Sequence, residues 1–334
     1  MKPTQRTGIK RSPGRSVSRS QPPGGSSSGR SKAPLPEDAH RALLWACEVA
    51  TREPDALKHP PARPDAGQLR AYPVPELRRI LDELILGQHV QHGLDALLRM
   101  GVLEVWLPEL RALVGFGDGE WRHKDLWKHS KQVIWQSEPR IAVRWGALLH
   151  DIGKVKTRRV GPDGQVHFLG HAEAGAAMFR KSIAPRLAFA GELYERVHYL
   201  ILHHLRASQY DPGWTDSAVR RFTREMGEGL EDLLALSRAD ITTKRPERRR
   251  QGLSLIEELR QRLEQLRIED ARQPPLPKGI GNRIMERFGL PPSRKIGDLK
   301  RLLEHQVQAG ELQAGQDAEY YVDWLLENRE RAGL

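Results

Sequence analysis

Seven side chains of two ligand-forming types punctuate the middle of the chain at helix-length intervals: His129, the adjacent His150-Asp151, His171, the adjacent His203-His204, and Asp240. The pair is the most demanding of them. Ala147-Leu148-Leu149 runs straight into His150-Asp151, followed by Ile152-Gly153-Lys154. An imidazole and a carboxylate at the end of an apolar helix are costly to bury unless something pairs with both. A divalent cation does so, since imidazole suits Zn, Ni, Co, Mn or Fe and carboxylate suits the harder ions. His89, His92, His123, His167 and His198 stand outside this pattern and are read as ordinary surface or core residues.

The ligand types fall at the ends of predicted helices. Asp125 opens a helix to about Gln136 with His129 in its first turns, and Glu138-Pro139 breaks it. Arg140 begins the next helix, which ends in His150-Asp151 with Gly153 as its stop. Such a helical hairpin can set His129 opposite the pair. Pro162-Asp163-Gly164 is a turn signal, so a short loop or hairpin should lie beside the site. Gly170-His171 opens an Ala- and Gly-rich helix to Ile183, a helix from Leu193 ends in His203-His204, and one from Leu230 carries Asp240 at its inner end.

The chain has 334 residues and a formal charge of +11. Eight basic residues and no acid lie in residues 1–35, which leaves +3 for the rest. Rich in Ser, Gly, Pro, Arg and Lys, residues 1–35 are expected to be a disordered basic tail able to hold a polyanion through salt-sensitive contacts. Residues 36–73 read as a short helix and linker, 74–115 as a helical neck, 116–272 as the ligand-bearing domain and 273–334 as a small helical tail domain. The segment Lys244-Arg245-Pro246-Glu247-Arg248-Arg249-Arg250 opens a helix whose basic strip is either a solvated face or one side of an RNA path. No apolar run approaches the ~20 residues that cross a bilayer, and the basic N-terminus lacks the apolar stretch of a secretory signal. The single cysteine, Cys47, excludes an intramolecular disulfide and a Cys-rich zinc site, and points to the cytoplasm.

Two stretches resemble known families. The helices before Gly101, and Gly101-Val-Leu-Glu-Val-Trp-Leu-Pro-Glu-Leu110 after them, are similar to the segment joining head and body in bacterial tRNA nucleotidyltransferases (CCA-adding enzymes) and poly(A) polymerases. The order His129, His150-Asp151, His171, His203-His204, Asp240, with Lys154 completing His-Asp-Ile-Gly-Lys, resembles the HD-domain phosphohydrolases. Together they cover roughly residues 74–330, and Gly289-Leu-Pro-Pro292 with Ile296-Gly297 resembles the CCA-enzyme tail, whose partner is tRNA.

The resemblance implies an all-α HD-domain bundle with an N-terminal neck and a C-terminal helical domain. It implies that His129, His150, Asp151 and Asp240 hold one divalent ion, and that His171, His203 and His204 hold a second, with Asp151 bridging. The ion would be Mn, Ni, Co, Fe or Mg. In a two-ion site one ion activates water near neutral pH while both clamp phosphoryl oxygens. Lys154 and Asp151 are the expected catalytic residues, with Lys154 neutralising developing charge or capping the helix end. Arg158, Arg159, Arg206 and Arg238 are the expected phosphate holders, and Asp211 and Trp214 are candidates for shaping the pocket.

Residues 1–75 offer neither the Gly-rich loop nor the Asp-x-Asp pair of a nucleotidyltransferase head, so CCA addition is not carried over. The expected function is phosphohydrolysis of a nucleotide or RNA-end phosphate ester, such as a 2′,3′-cyclic phosphate. The alternatives are a non-catalytic RNA- or tRNA-binding module, and hydrolysis of guanosine tetraphosphate-type alarmones or deoxynucleoside triphosphates.

Overall fold

The computed structural model describes residues 34–52, 59–116, 125–271 and 274–334. The expected disordered tail, up to residue 33, lies outside them, as does His123.

Helix α1 (Glu37–Thr51) opens with Glu37 and Asp38, placed favourably at the positive end of its dipole. It packs on α3 (Val74–Leu86) and α4 (Val90–Arg99), burying Leu43, Ala46, Val49 and Ala50. Residues 59–73, between α1 and α3, are not the linker that their prolines suggest. Asp65 caps α2 (Ala66–Arg70) by accepting from the Gln68 amide at 2.9 Å. The Trp106 indole, at the end of α5 (Val102–Trp106), donates to the Leu69 carbonyl at 2.8 Å. Leu69 and Tyr72 are buried, and the Tyr72 hydroxyl lies 2.6 Å from His40 Nδ1. Prolines restrict the backbone but leave neighbouring apolar side chains free to pack, so α1 and α2 belong to the neck bundle.

After α6 (Pro108–Arg111), α7 (Leu126–Gln136) and α8 (Ile141–Leu149) form the expected hairpin. Every residue of α8 from Ala142 to Leu149 is buried, as befits a central helix that is apolar except at Arg144, whose guanidinium donates to the Glu138 and Ile85 carbonyls at 3.3 Å. Asp82 ties it to the neck by accepting from Trp145 Nε1 and from Arg78 Nε, both at 2.7 Å. Next come α9 (Lys154–Thr157) and an antiparallel pair, β1 (Arg159–Val160) and β2 (Val166–His167), with Arg159 opposite His167. This is the hairpin anticipated at Pro162-Asp163-Gly164.

The helix expected from Ala172 to Ile183 is divided: α10 (His171–Met178) passes into a π turn at Phe179–Ile183, then α11 (Ala184–Arg186). Helix α12 (Gly191–His203) crosses α8 at Gly146, where a Cβ would stand 2.8 Å from Leu200. Helix α13 (Asp216–Met226) leads to α14 (Leu230–Ala239), and α15 (Pro246–Ala271) packs against both. The last helices, α16 (Ile280–Phe288), α17 (Arg294–Gln308), α18 (Ala318–Glu327) and α19 (Arg329–Ala332), share a core of Ile280, Ile284, Leu299, Leu303, Tyr321 and Leu325. Among the described residues the protein is all-α apart from the two short strands. No described helix is long and apolar enough to cross a membrane.

Candidate metal centre

Six of the seven ligand-type residues converge where α7, α8, α10, α12 and α14 meet. They form two triads, His129-His150-Asp240 and Asp151-His171-His204, within each of which the donor atoms lie within 4.8 Å of one another. In the first, His129 Nε2 stands 3.2 Å from His150 Nε2 and 3.1 Å from Asp240 Oδ1. Asp151 Oδ2 lies 3.3 Å from both imidazoles. In the second, His171 Nε2 is 3.1 Å from His204 Nε2, and Asp151 Oδ1 is 3.5 and 3.9 Å from them. Ligands held at about 2.1 Å from one ion stand roughly 3.0 to 3.4 Å apart, which most of these spacings match, while 3.5 and 3.9 Å from Asp151 Oδ1 and 3.7 Å from His150 to Asp240 lie a few tenths of an ångström beyond.

Local backbone fixes the imidazoles. His150 Nδ1 donates to the Ala147 carbonyl, His171 Nδ1 to Phe168 and His204 Nδ1 to Ile201, each at 2.8 Å. Each bond spans three residues and keeps a proton on Nδ1, so that Nε2 is the atom turned toward the centre. His129 Nδ1 meets Thr242 Oγ1 at 3.1 Å. Two facing lone pairs on His171 and His204 repel unless a cation lies between them. Asp151 Oδ1 is fully buried and has no hydrogen-bond partner among the described residues, which is costly for an anion. The donor chemistry therefore fits divalent ions.

The electrostatics agree. Burial opposes ionisation of Asp151, but the His150 charge, hydrogen bonds from His129 and His150, and Lys154 hold it well below the carboxylate range. Asp240, likewise opposed by burial, is lowered to about 2 by the His129 hydrogen bond and the His150 charge. Burial would lower His129, yet hydrogen bonds to Asp151 and Asp240 raise it to about 9. His204 is pushed down to about 4 by burial and by His150, and burial lowers His171. The centre thus combines two anionic carboxylates with neutral imidazoles on the second side.

His203 does not join the group. Successive residues on a helix point about 100° apart, and with His204 turned inward the His203 ring packs on Tyr199, centroids 4.7 Å apart. Lys154 Nζ lies 2.7 Å from Asp151 Oδ2 and 5.7 Å from the centre of the Phe168 ring. Arg158 and Arg159 are exposed at the start of the hairpin beside the second triad. Arg206 pairs with Glu225 at 2.5 Å, and Arg238 lines a groove between α14 and α15 with Leu253 and Glu257. Trp214 packs between Tyr210 and Phe222, and Asp211 accepts from the Gly213 amide. Thr242 and Phe168 support the centre without having been singled out in the sequence; closeness to Asp240 and His171 was their only signal.

The family described as HD domain matches residues 123–245, which contain all six converging residues. Similarity to curated proteins extends well beyond that range. The chain is 34% identical over 257 residues to a CC-adding tRNA nucleotidyltransferase of Thermus thermophilus, covering 72% of this chain and 55% of the relative. It is 31% identical over 297 residues to an A-adding tRNA nucleotidyltransferase of Deinococcus radiodurans, covering 85% of this chain and 66% of the relative. The chain thus spans a little over half and just under two thirds of these relatives' lengths. Residues 123–245 thus match the HD domain family, and this segment with its flanking helices is similar to tRNA nucleotidyltransferases.

Proposed function

We propose that the chain is a metal-dependent phosphohydrolase acting on a nucleotide or RNA-end phosphate ester such as a 2′,3′-cyclic phosphate. The carrying observation is Asp151, whose Oδ2 faces one triad and whose orphaned Oδ1 faces the other. His129, His150, Asp240 and Asp151 Oδ2 would hold one ion, and His171, His204 and Asp151 Oδ1 the other. His203 is left out of this set. Bound divalent ions supply Lewis acidity toward phosphoryl oxygens and a lowered pKa for water.

The chain's own groups do the rest. Lys154 places an ammonium beside the bridging carboxylate, where it neutralises charge on the phosphoryl group or protonates the leaving oxygen. Arg158 and Arg159, exposed at the start of the hairpin, would hold phosphate oxygens beyond the reacting one. The relatives' names, which specify nucleotide addition to tRNA, support an RNA end as the ester's carrier.

The same names favour a second reading, a non-catalytic RNA- or tRNA-binding module, because they describe addition rather than hydrolysis. Conversion of 2′,3′-cyclic AMP to adenosine monophosphate by the full chain with Mn²⁺, Ni²⁺ or Mg²⁺ separates the two. Turnover that disappears in His150→Ala/Asp151→Ala supports hydrolysis. RNA binding that survives that double substitution, with no turnover of any phosphoester by the native chain, supports the module.

A further inference from the structure

The +3 charge of residues 36–334 is unevenly distributed. Residues 154–159 contain four basic residues and no acid, and residues 244–250 contain five with only Glu247 against them. Each segment nets +4, so the remainder of residues 36–334 nets −5. Both segments adjoin the candidate centre. Lys154 reaches Asp151 at 2.7 Å, and Thr242, two residues ahead of Lys244, touches His129 at 3.1 Å. One segment leaves from each triad.

The fold accounts for some of these charges, pairing Lys154 with Asp151 at 2.7 Å and Arg250 with Glu247 at 3.4 Å, but not for six of them. Lys156, Arg159, Lys244, Arg245, Arg248 and Arg249 are exposed and form no ion pair among the described residues. Farther along α15 the pattern is different: Arg260 pairs with Glu257 at 2.7 Å, Arg262 with Asp216 at 2.7 Å and Arg267 with Glu264 at 2.6 Å. The first turn of α15 is also where the helix macrodipole disfavours cations. Arg248 and Arg249 there have neither an acidic partner among the described residues nor support from the helix, and an external anion is what they suit.

We propose that residues 154–159 and 244–250 form one track for the backbone of single-stranded RNA, delivering its phosphate end to the centre. This rests on reading the centre as a phosphoester site. A polyphosphate backbone can occupy charges spread over two separate elements, and guanidinium forks match its oxygens. A membrane surface is a poorer match, because residues 244–250 contain no apolar residue except Pro246. Leu169 and Val160, exposed on and beside the hairpin, offer apolar contact to bases.

The test is anisotropy of a fluorescent oligoribonucleotide of roughly ten nucleotides, ending in a 3′-phosphate, titrated with the full chain at several salt concentrations. Arg245→Gln/Arg248→Gln/Arg249→Gln and Lys156→Gln/Arg159→Gln should each weaken binding about tenfold and flatten the slope of log K against log salt by roughly 1 to 2. Arg245→Lys/Arg248→Lys/Arg249→Lys should keep the native slope. Native affinity and slope in both glutamine variants would overturn the track and assign RNA binding to residues 1–35 or elsewhere. A chain that binds RNA through these residues yet hydrolyses no phosphoester overturns the proposed function and leaves the track standing. Turnover of 2′,3′-cyclic AMP with unaltered RNA binding in both variants does the reverse.

Discussion

A Cβ on Gly153 would stand 2.0 Å from the carbonyl oxygen of His171 and 2.6 Å from the Gly175 amide nitrogen. The turn after the His-Asp pair therefore lies backbone to backbone against α10, and that approach sets His171 beside Asp151. Gly153→Ala must push α10 outward, at an overpacking cost of about 1–3 kcal/mol. The expected result is at least a tenfold loss of affinity for one of two Mn²⁺ ions, with the other retained. Calorimetric titration of the variant checks it.

Metal binding should depend on pH through His129. Its imidazole sits at about 9 instead of the ordinary 6.5, because the proton bridges Asp151 and Asp240 in place of a cation. Below about 9 an incoming ion must displace that proton. Apparent affinity should therefore rise with pH, by up to about tenfold per unit between 7 and 9, and flatten above. At neutral pH, calorimetry in buffers of different ionisation enthalpy should show about one proton released from this site. Affinity independent of pH over that range contradicts the assignment of His129 as a ligand.

The two histidines ending α12 should behave differently. His204→Ala removes an Nε2 donor 3.1 Å from that of His171 and should cost the second ion about 10- to 100-fold in affinity. His203→Ala trims a half-buried ring lying on Tyr199 and should leave both ion affinities within about twofold. Equal losses in the two variants would place His203 in the centre after all.

Lys154→Gln keeps a polar side chain, slightly shorter, but removes its charge. If the ammonium acts on the phosphoryl group, kcat for 2′,3′-cyclic AMP should fall on the order of a hundredfold while ion content is unchanged. A loss of bound metal matching the loss of rate would reduce Lys154 to a support for Asp151.

Much of this was legible in residue order, because ligand types at helix ends survive translation into three dimensions almost unchanged. The hairpin at Pro162-Asp163-Gly164 and the all-α architecture followed from turn chemistry and apolar spacing. Which of two adjacent histidines turns inward was not legible, since it depends on the rotation of α12 against α8 set by Gly146 and Leu200. Nor was the pairing of Arg206 with Glu225, 19 residues away on α13. The stretch before α3 read as a linker because its prolines signal irregular backbone; the burial of Leu69 and Tyr72 depends on Trp106 and His40, which sequence proximity does not reveal.

The most direct test is calorimetric titration of the metal-free full chain with Mn²⁺, for the native protein and for Asp151→Ala. A centre bridged by Asp151 predicts two ions per native chain and the loss of at least one, with the other weakened, in the variant. No saturable Mn²⁺ binding by the native chain, or the same two ions in Asp151→Ala, would contradict it.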